Sequence, residues 1–118
     1  MVNKKFLITA SIIIILLISL GYILYKRQIS PGKYDDFAKC LTENQAAMYG
    51  TEWCPHYKSQ KALFGKSFKY VNYTDCDYDR DTCLLNGVKG YPTWIIKDKS
   101  YSGTQSLEVL SKLTNCTL

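Results

Sequence analysis

Five cysteines and one histidine carry most of the chemistry open to this chain of 118 residues. Cys54 has the most informative setting. It follows the loop Gly50-Thr51-Glu52-Trp53 and immediately precedes Pro55, a residue suited to the first turn of a helix. A thiolate at a helix start meets unpaired backbone N–H groups and the positive end of the helix dipole, and both favour ionised sulfur. Ionised sulfur is the nucleophile of thiol–disulfide exchange, and His56 would add a proton or a positive charge beside it. The alternative is an inert, half-buried thiol. Zinc fits poorly, because it takes four ligands and no second Cys-x-x-Cys or His-x-x-x-His is present. A cysteine protease fits poorly too. Its histidine meets the thiol through the fold, whereas the single histidine here lies two residues away. No metal and no cofactor are expected.

The other cysteines, at 40, 76, 83 and 116, are candidates for structural pairing. Five cysteines with one left free allow fifteen pairings, and spacing alone does not choose among them. Context favours Cys40 with Cys116, which would tie the ends of the domain and contribute about 4–5 kcal/mol in the chain-entropy picture. It also favours Cys76 with Cys83 around the acidic loop Asp77-Tyr78-Asp79-Arg80-Asp81, worth about 2–3 kcal/mol. Cys54 is then left over. Buried, unpaired cysteines remain the alternative for these four.

These residues need elements to hold them. Asp35-Asp36 suits the start of a helix with an apolar stripe of Phe37, Cys40 and Leu41. Ala46-Ala47-Met48-Tyr49 reads as a buried strand closed by Gly50. A helix is expected from Pro55 to Gly65, and a strand over Phe68 to Tyr73. A helical turn over Asp81 to Asn86 ends before Gly87. Thr93-Trp94-Ile95-Ile96 reads as a strand, followed by a turn at Asp98-Lys99 into Ser100-Tyr101-Ser102. Ser106 caps a last helix carrying Leu107, Leu110 and Leu113. The expected architecture is a small α/β sandwich on a mixed sheet.

Phe6 to Tyr25 holds no charge, and twenty helical residues rise about 30 Å, the thickness of a hydrocarbon core. Tyr22 and Tyr25 suit one interface, and Lys4 and Lys5 bound the other end. An uncleaved signal anchor is expected rather than a cleaved signal, since cleavage near Ser19 or Gly21 would leave Tyr22-Ile23-Leu24-Tyr25 as a greasy new terminus. The expected organisation is a cytoplasmic terminus over 1–5, a span over 6–25, a linker over 26–33 and a domain over 34–118. Positive charges flank the span almost evenly. The cysteine count breaks the tie, placing the domain in an oxidising compartment outside the cytoplasm.

The net charge of +5 is mostly that of Lys4, Lys5, Lys26 and Arg27 beside the apolar run. The near-neutral remainder lacks a basic stripe, which argues against nucleic acid as a partner. Asn72-Tyr73-Thr74 and Asn115-Cys116-Thr117 match the short glycosylation pattern. Asp75 to Asp81 lacks the loop glycine and closing glutamate of a calcium-binding EF-hand and reads as a solvated loop.

Trp53-Cys54-Pro55-His56 after a strand, with Gly90-Tyr91-Pro92-Thr93-Trp94 downstream, resembles the thioredoxin superfamily. Phe37 to Glu43, Met48 to His56, Gln60 to Gly65, Gly90 to Ile95 and Gly103 to Glu108 together resemble, more narrowly, the thioredoxin-like domain associated with bacterial vitamin K epoxide reductase homologues. The resemblance implies a thioredoxin-like fold after one N-terminal transmembrane helix. It implies that Pro92 is a cis-proline packed on the active cysteine, and that the Tyr91–Pro92 backbone receives substrate as an added strand. Cys54, His56 and Pro92 would be the catalytic group. Trp53, Pro55, Tyr57, Tyr91 and Thr93 would line the substrate site. The positions of Cys76 and Cys83 match a second cysteine pair seen in such domains. Partners would be cysteine-containing proteins or a quinone-linked membrane thiol oxidoreductase.

One departure bears on mechanism. The family motif is Cys-Pro-His-Cys, and Tyr57 stands at its last position. Resolution of a mixed disulfide needs a second thiolate, which a phenol does not supply. Three readings follow: a monothiol oxidoreductase using Cys54, a redox-inactive binding module that kept the fold, and a structural anchor protein with stapling disulfides alone.

Overall fold

A computed structural model describes all 118 residues, which form two compact units, Met1–Ser30 and Pro31–Leu118. The first is a helix, α1 (Lys4–Ile29), begun by the Asn3 side chain accepting from the Lys5 N–H. Its 26 residues span about 39 Å. Within it, an 18-residue window has a mean hydropathy of 2.7, so α1 is long and apolar enough to cross a membrane. It runs beyond both ends of the apolar stretch, because the flanking Lys4, Lys5, Lys26, Arg27 and Gln28 are good helix formers.

The second unit begins earlier than its composition suggests. Within the linker expected over 26–33 the Gly32 N–H donates to Asp35 Oδ2 at 3.0 Å, and just beyond it the Tyr34 N–H donates to Ser67 Oγ at 2.9 Å. Helix α2 (Asp35–Glu43) follows, burying Phe37, Ala38 and Leu41 at helical spacing. Then come β1 (Ala46–Gly50), α3 (Pro55–Phe64), a 3-10 segment (Gly65–Tyr70), β2 (Asn72–Asp75), α4 (Arg80–Leu85), β3 (Thr93–Ile96), β4 (Lys99–Ser102) and α5 (Leu107–Thr114).

The four strands form one mixed sheet in the order β2-β1-β3-β4. Strand β1 runs parallel to β2 and antiparallel to β3, pairing Met48 with Tyr73 on one side and with Trp94 on the other. Alternation along β1 sends Ala46 and Met48 into one core with Phe37, Leu41, Tyr57, Phe64, Trp94 and Leu110. It sends Tyr49 and the flank of Ala47 into a smaller cluster with Cys76, Cys83 and Val88. One face of the sheet is thus covered by α2, α3 and α5, and the other by the short, disulfide-held α4 segment.

The expected strand over Phe68 to Tyr73 is a 3-10 turn for its first half, and pairing starts only at Asn72. The physical reason lies in burial. Ser67 and Phe68 are buried as neighbours, with Val71 three residues on, which is the spacing of a 3-10 turn rather than the alternation of a strand. The other expected elements are present. Ser106 caps α5 by accepting from the Val109 N–H at 3.2 Å.

Candidate active site

Strand β1 ends at Gly50, and a turn closed by the Cys54 N–H donating to the Thr51 carbonyl (3.1 Å) leads into α3. Cys54 is the N-cap of α3, its backbone extended at φ −76 and ψ 122, with Pro55 at the first helical position. Its carbonyl accepts the Lys58 N–H at 3.0 Å. Gly65 stops the helix at φ +54, in the left-handed region that a side chain disfavours.

Cys54 is the single unpaired cysteine, and only 7% of its surface is exposed. Its thiol donates to the Tyr91 carbonyl at 3.5 Å, an ordinary length for sulfur. The Tyr91–Pro92 peptide bond is cis, and Pro92 is wholly buried. Thr93 opens β3 and turns its hydroxyl back to the Gly90 carbonyl at 2.8 Å. The segment that enters β3 therefore lies directly against the sulfur. Trp53 is 63% exposed and sets its indole edge-on to the Tyr91 ring, with centroids 6.1 Å apart. Pro55 and His56 are exposed at the same helix start. Trp53, Cys54, Pro55, His56, Tyr91, Pro92 and Thr93 are thus gathered at one end of the sheet.

Tyr57 is not part of that surface. It was expected among the substrate-lining residues, yet it is wholly buried, because one turn into α3 its side chain points at the sheet with Gln60 and Phe64. Its ring stacks on Tyr73 at 5.0 Å and meets Phe68 edge-on at 6.0 Å. Its hydroxyl donates to Glu52 Oε1 at 2.7 Å. Burial, reinforced by that carboxylate, pushes the Tyr57 phenol well above its ordinary range and keeps it a neutral donor. Burial also pushes Tyr73 up to about 12, although the Tyr57 hydroxyl acts in the opposite sense; the Tyr73 hydroxyl itself has no hydrogen-bond partner. Lys61 joins Glu52 from outside at 3.5 Å.

Gly50 makes room for this ring. A Cβ there would lie 2.9 Å from Tyr57 Cδ2. Gln60 is a second residue whose place the sequence did not reveal. It is wholly buried, accepts from Trp94 Nε1 (3.0 Å) and from the Gln105 N–H (2.7 Å), and donates to the Gln105 carbonyl (3.0 Å). Its spacing from Tyr57 and Phe64 along α3 is the one available signal of burial, and its polarity hid it.

Cys40 is joined to Cys116 and Cys76 to Cys83, with Cα separations of 5.9 and 5.8 Å. The first bridge fastens α2 to the chain just after α5. The second lies under Tyr49 and Val88, and Tyr91 packs both on it and on the core that holds Cys54.

A sheet ordered β2-β1-β3-β4, a thiol at the start of the helix after β1, and a Tyr-Pro-Thr segment beside it define a thioredoxin-like fold. Among characterised proteins, the thiol-disulfide oxidoreductase LTO1 of Arabidopsis thaliana is 39% identical to it over 90 residues, which cover 69% of this chain and 24% of that protein. The chain therefore matches about a quarter of its relative's length, and the likeness supports a thiol–disulfide redox role. No family model matches the chain.

Proposed function

We propose that this chain is a membrane-anchored thiol–disulfide oxidoreductase that works through one thiol, Cys54, with its domain outside the cytoplasm. The observation that carries the reading is a lone unpaired cysteine at a helix N-cap, hydrogen-bonded to Tyr91, with a phenol three residues on where a resolving thiol would stand. Two disulfides in so small a domain support an oxidising compartment, and α1 supports anchoring.

The Cys54 thiolate attacks one sulfur of a substrate disulfide along the S–S axis. A Cys54–substrate disulfide forms, the substrate S–S bond breaks, and the second substrate sulfur leaves as a thiolate. A thiolate from another molecule then attacks the substrate sulfur of the mixed disulfide and returns Cys54 as thiolate. The number of disulfides is unchanged in each step, so the chain exchanges disulfides and any net oxidation or reduction comes from the second thiol. The exposed Trp53 and the Tyr91–Pro92 segment hold the substrate chain beside the sulfur, and His56 supplies a proton at the helix start. The second thiol belongs to a cysteine-containing protein or to a membrane thiol oxidoreductase of the vitamin K epoxide reductase kind.

The test is to expose membranes carrying the chain to a disulfide peptide, quench with acid and alkylate. A peptide adduct at Cys54 that persists until a second thiol is added is expected. Absence of any adduct on the unaltered chain, or an equal yield from Cys54→Ser, overturns the proposal. A second reading, a binding module without redox chemistry, rests on the buried Tyr57. It predicts that Cys54→Ala leaves client binding unchanged.

A further inference from the structure

Ser30 is the one residue between the last residue of α1 and Pro31, where the second unit begins. Pro31, Gly32, Lys33 and Tyr34 line two neighbouring hollows of about 530 and 320 Å³. Lys39 stands on the wall of the first and Lys66 on the wall of the second, with Lys33 in both.

These lysines are exposed, as is Lys69, and Lys33, Lys39 and Lys69 lie over tyrosine rings. Lys33 Nζ is 4.9 Å from the Tyr34 centroid, while Lys39 and Lys69 are 4.5 and 5.0 Å from the centroid of Tyr70. Ammonium groups above partly buried phenol rings suit the boundary between lipid headgroups and water: the apolar ring faces inward and the charge faces out. The acidic residues of this surface are Asp35, occupied by the Gly32 N–H, and Asp36, 4.0 Å from Lys39. Lys33, Lys39, Lys66 and Lys69 outnumber them. The chain's densest acidic run, Asp75 to Asp81, lies elsewhere, around the Cys76–Cys83 bridge.

We infer that this lysine and tyrosine collar docks on anionic phospholipid headgroups of the bilayer that α1 enters, which fixes the height at which Cys54 meets its partners. The inference rests on the anchoring half of the proposed function. Charge complementarity names the occupant, and only Ser30 separates α1 from the first residue of the collar segment. Each lysine near an anionic surface adds a modest attraction that falls off within a Debye length, so several together give a salt-sensitive dock.

The experiment uses the full chain in nanodiscs of phosphatidylcholine, with and without phosphatidylglycerol, followed by amide hydrogen exchange over residues 31–39 and 65–70. Exchange slowed about fivefold or more in the anionic discs is expected, relieved by high salt and by Lys33→Gln/Lys39→Gln/Lys66→Gln/Lys69→Gln. Equal exchange in both discs overturns the inference. So does equal slowing in neutral discs on adding soluble glycerol phosphate, which would make the collar a small-anion site. Release of the chain from native membranes by carbonate would instead mark failure of the anchoring reading.

Discussion

The two faces of the sheet are held by different physics. On the face covered by α2, α3 and α5, Phe37, Tyr57, Phe64, Phe68 and Trp94 fill the space with rings in contact, and one buried amide, Gln60, pairs with the Trp94 indole N–H and the Gln105 backbone. On the other face a four-residue buried cluster sits under a six-residue helix that leaves Leu84 and Leu85 exposed. Too little apolar area is available there, and the Cys76–Cys83 bridge takes its place. A residue exchange is tolerated where space and hydrogen-bond partners are already in place. The aromatic face accepts a tyrosine at position 57 because volume and hydrogen bonding were both provided for it. The stapled face depends on one covalent bond.

Tyr57→Ala tests the aromatic face most severely. Removing a wholly buried ring is expected to cost about 3–5 kcal/mol in denaturant unfolding. A loss below about 1 kcal/mol would show that Tyr57 is not a core member. Next in size is Cys76→Ala/Cys83→Ala, expected to cost about 2–3 kcal/mol. Hydrogen exchange should locate that loss in α4 and the loop before β3, with α3 and α5 amides protected relative to global unfolding; uniform loosening of both faces would erase the distinction drawn between them. The smallest effect is one of pH. The Tyr73 phenol has its pKa raised from 10.0 to about 12 by burial, so its neutral form is favoured in the folded chain. Its contribution to stability is complete below pH 10 and is lost as pH rises through 12. Circular dichroism across this range should show the decline, and Tyr73→Phe should make it shallower.

The sequence made much of this visible, and the reasons are local. Pro55 and Gly65 bracket α3 because one lacks an N–H where none is needed and the other tolerates a left-handed turn. Ser106 marks α5 by the hydroxyl its first turn requires. Cys54 was conspicuous because a thiol before a helix-opening proline is unusual chemistry at a place with spare N–H groups. The 3-10 turn before β2 was hidden, since apolar residues spaced two apart look the same until burial separates them. The depth of Tyr57 was hidden for a different reason: its neighbours Gly50, Phe68 and Tyr73 are distant in sequence, and a position known for surface chemistry drew attention away from packing.

The pairing of Gly50 with Tyr57 has a consequence for how this site can change. A thiol placed at position 57 would recreate the spacing of a dithiol motif, but it would also vacate the space between Gly50, Phe68 and Tyr73 and leave Glu52 without its donor. Filling that space from the strand side needs a larger residue at 50, and any side chain there collides with the ring while Tyr57 remains. Each single step is disfavoured until the other has been taken. Glycine and tyrosine therefore act as a ratchet: once the ring is seated, neither position changes cheaply without the other.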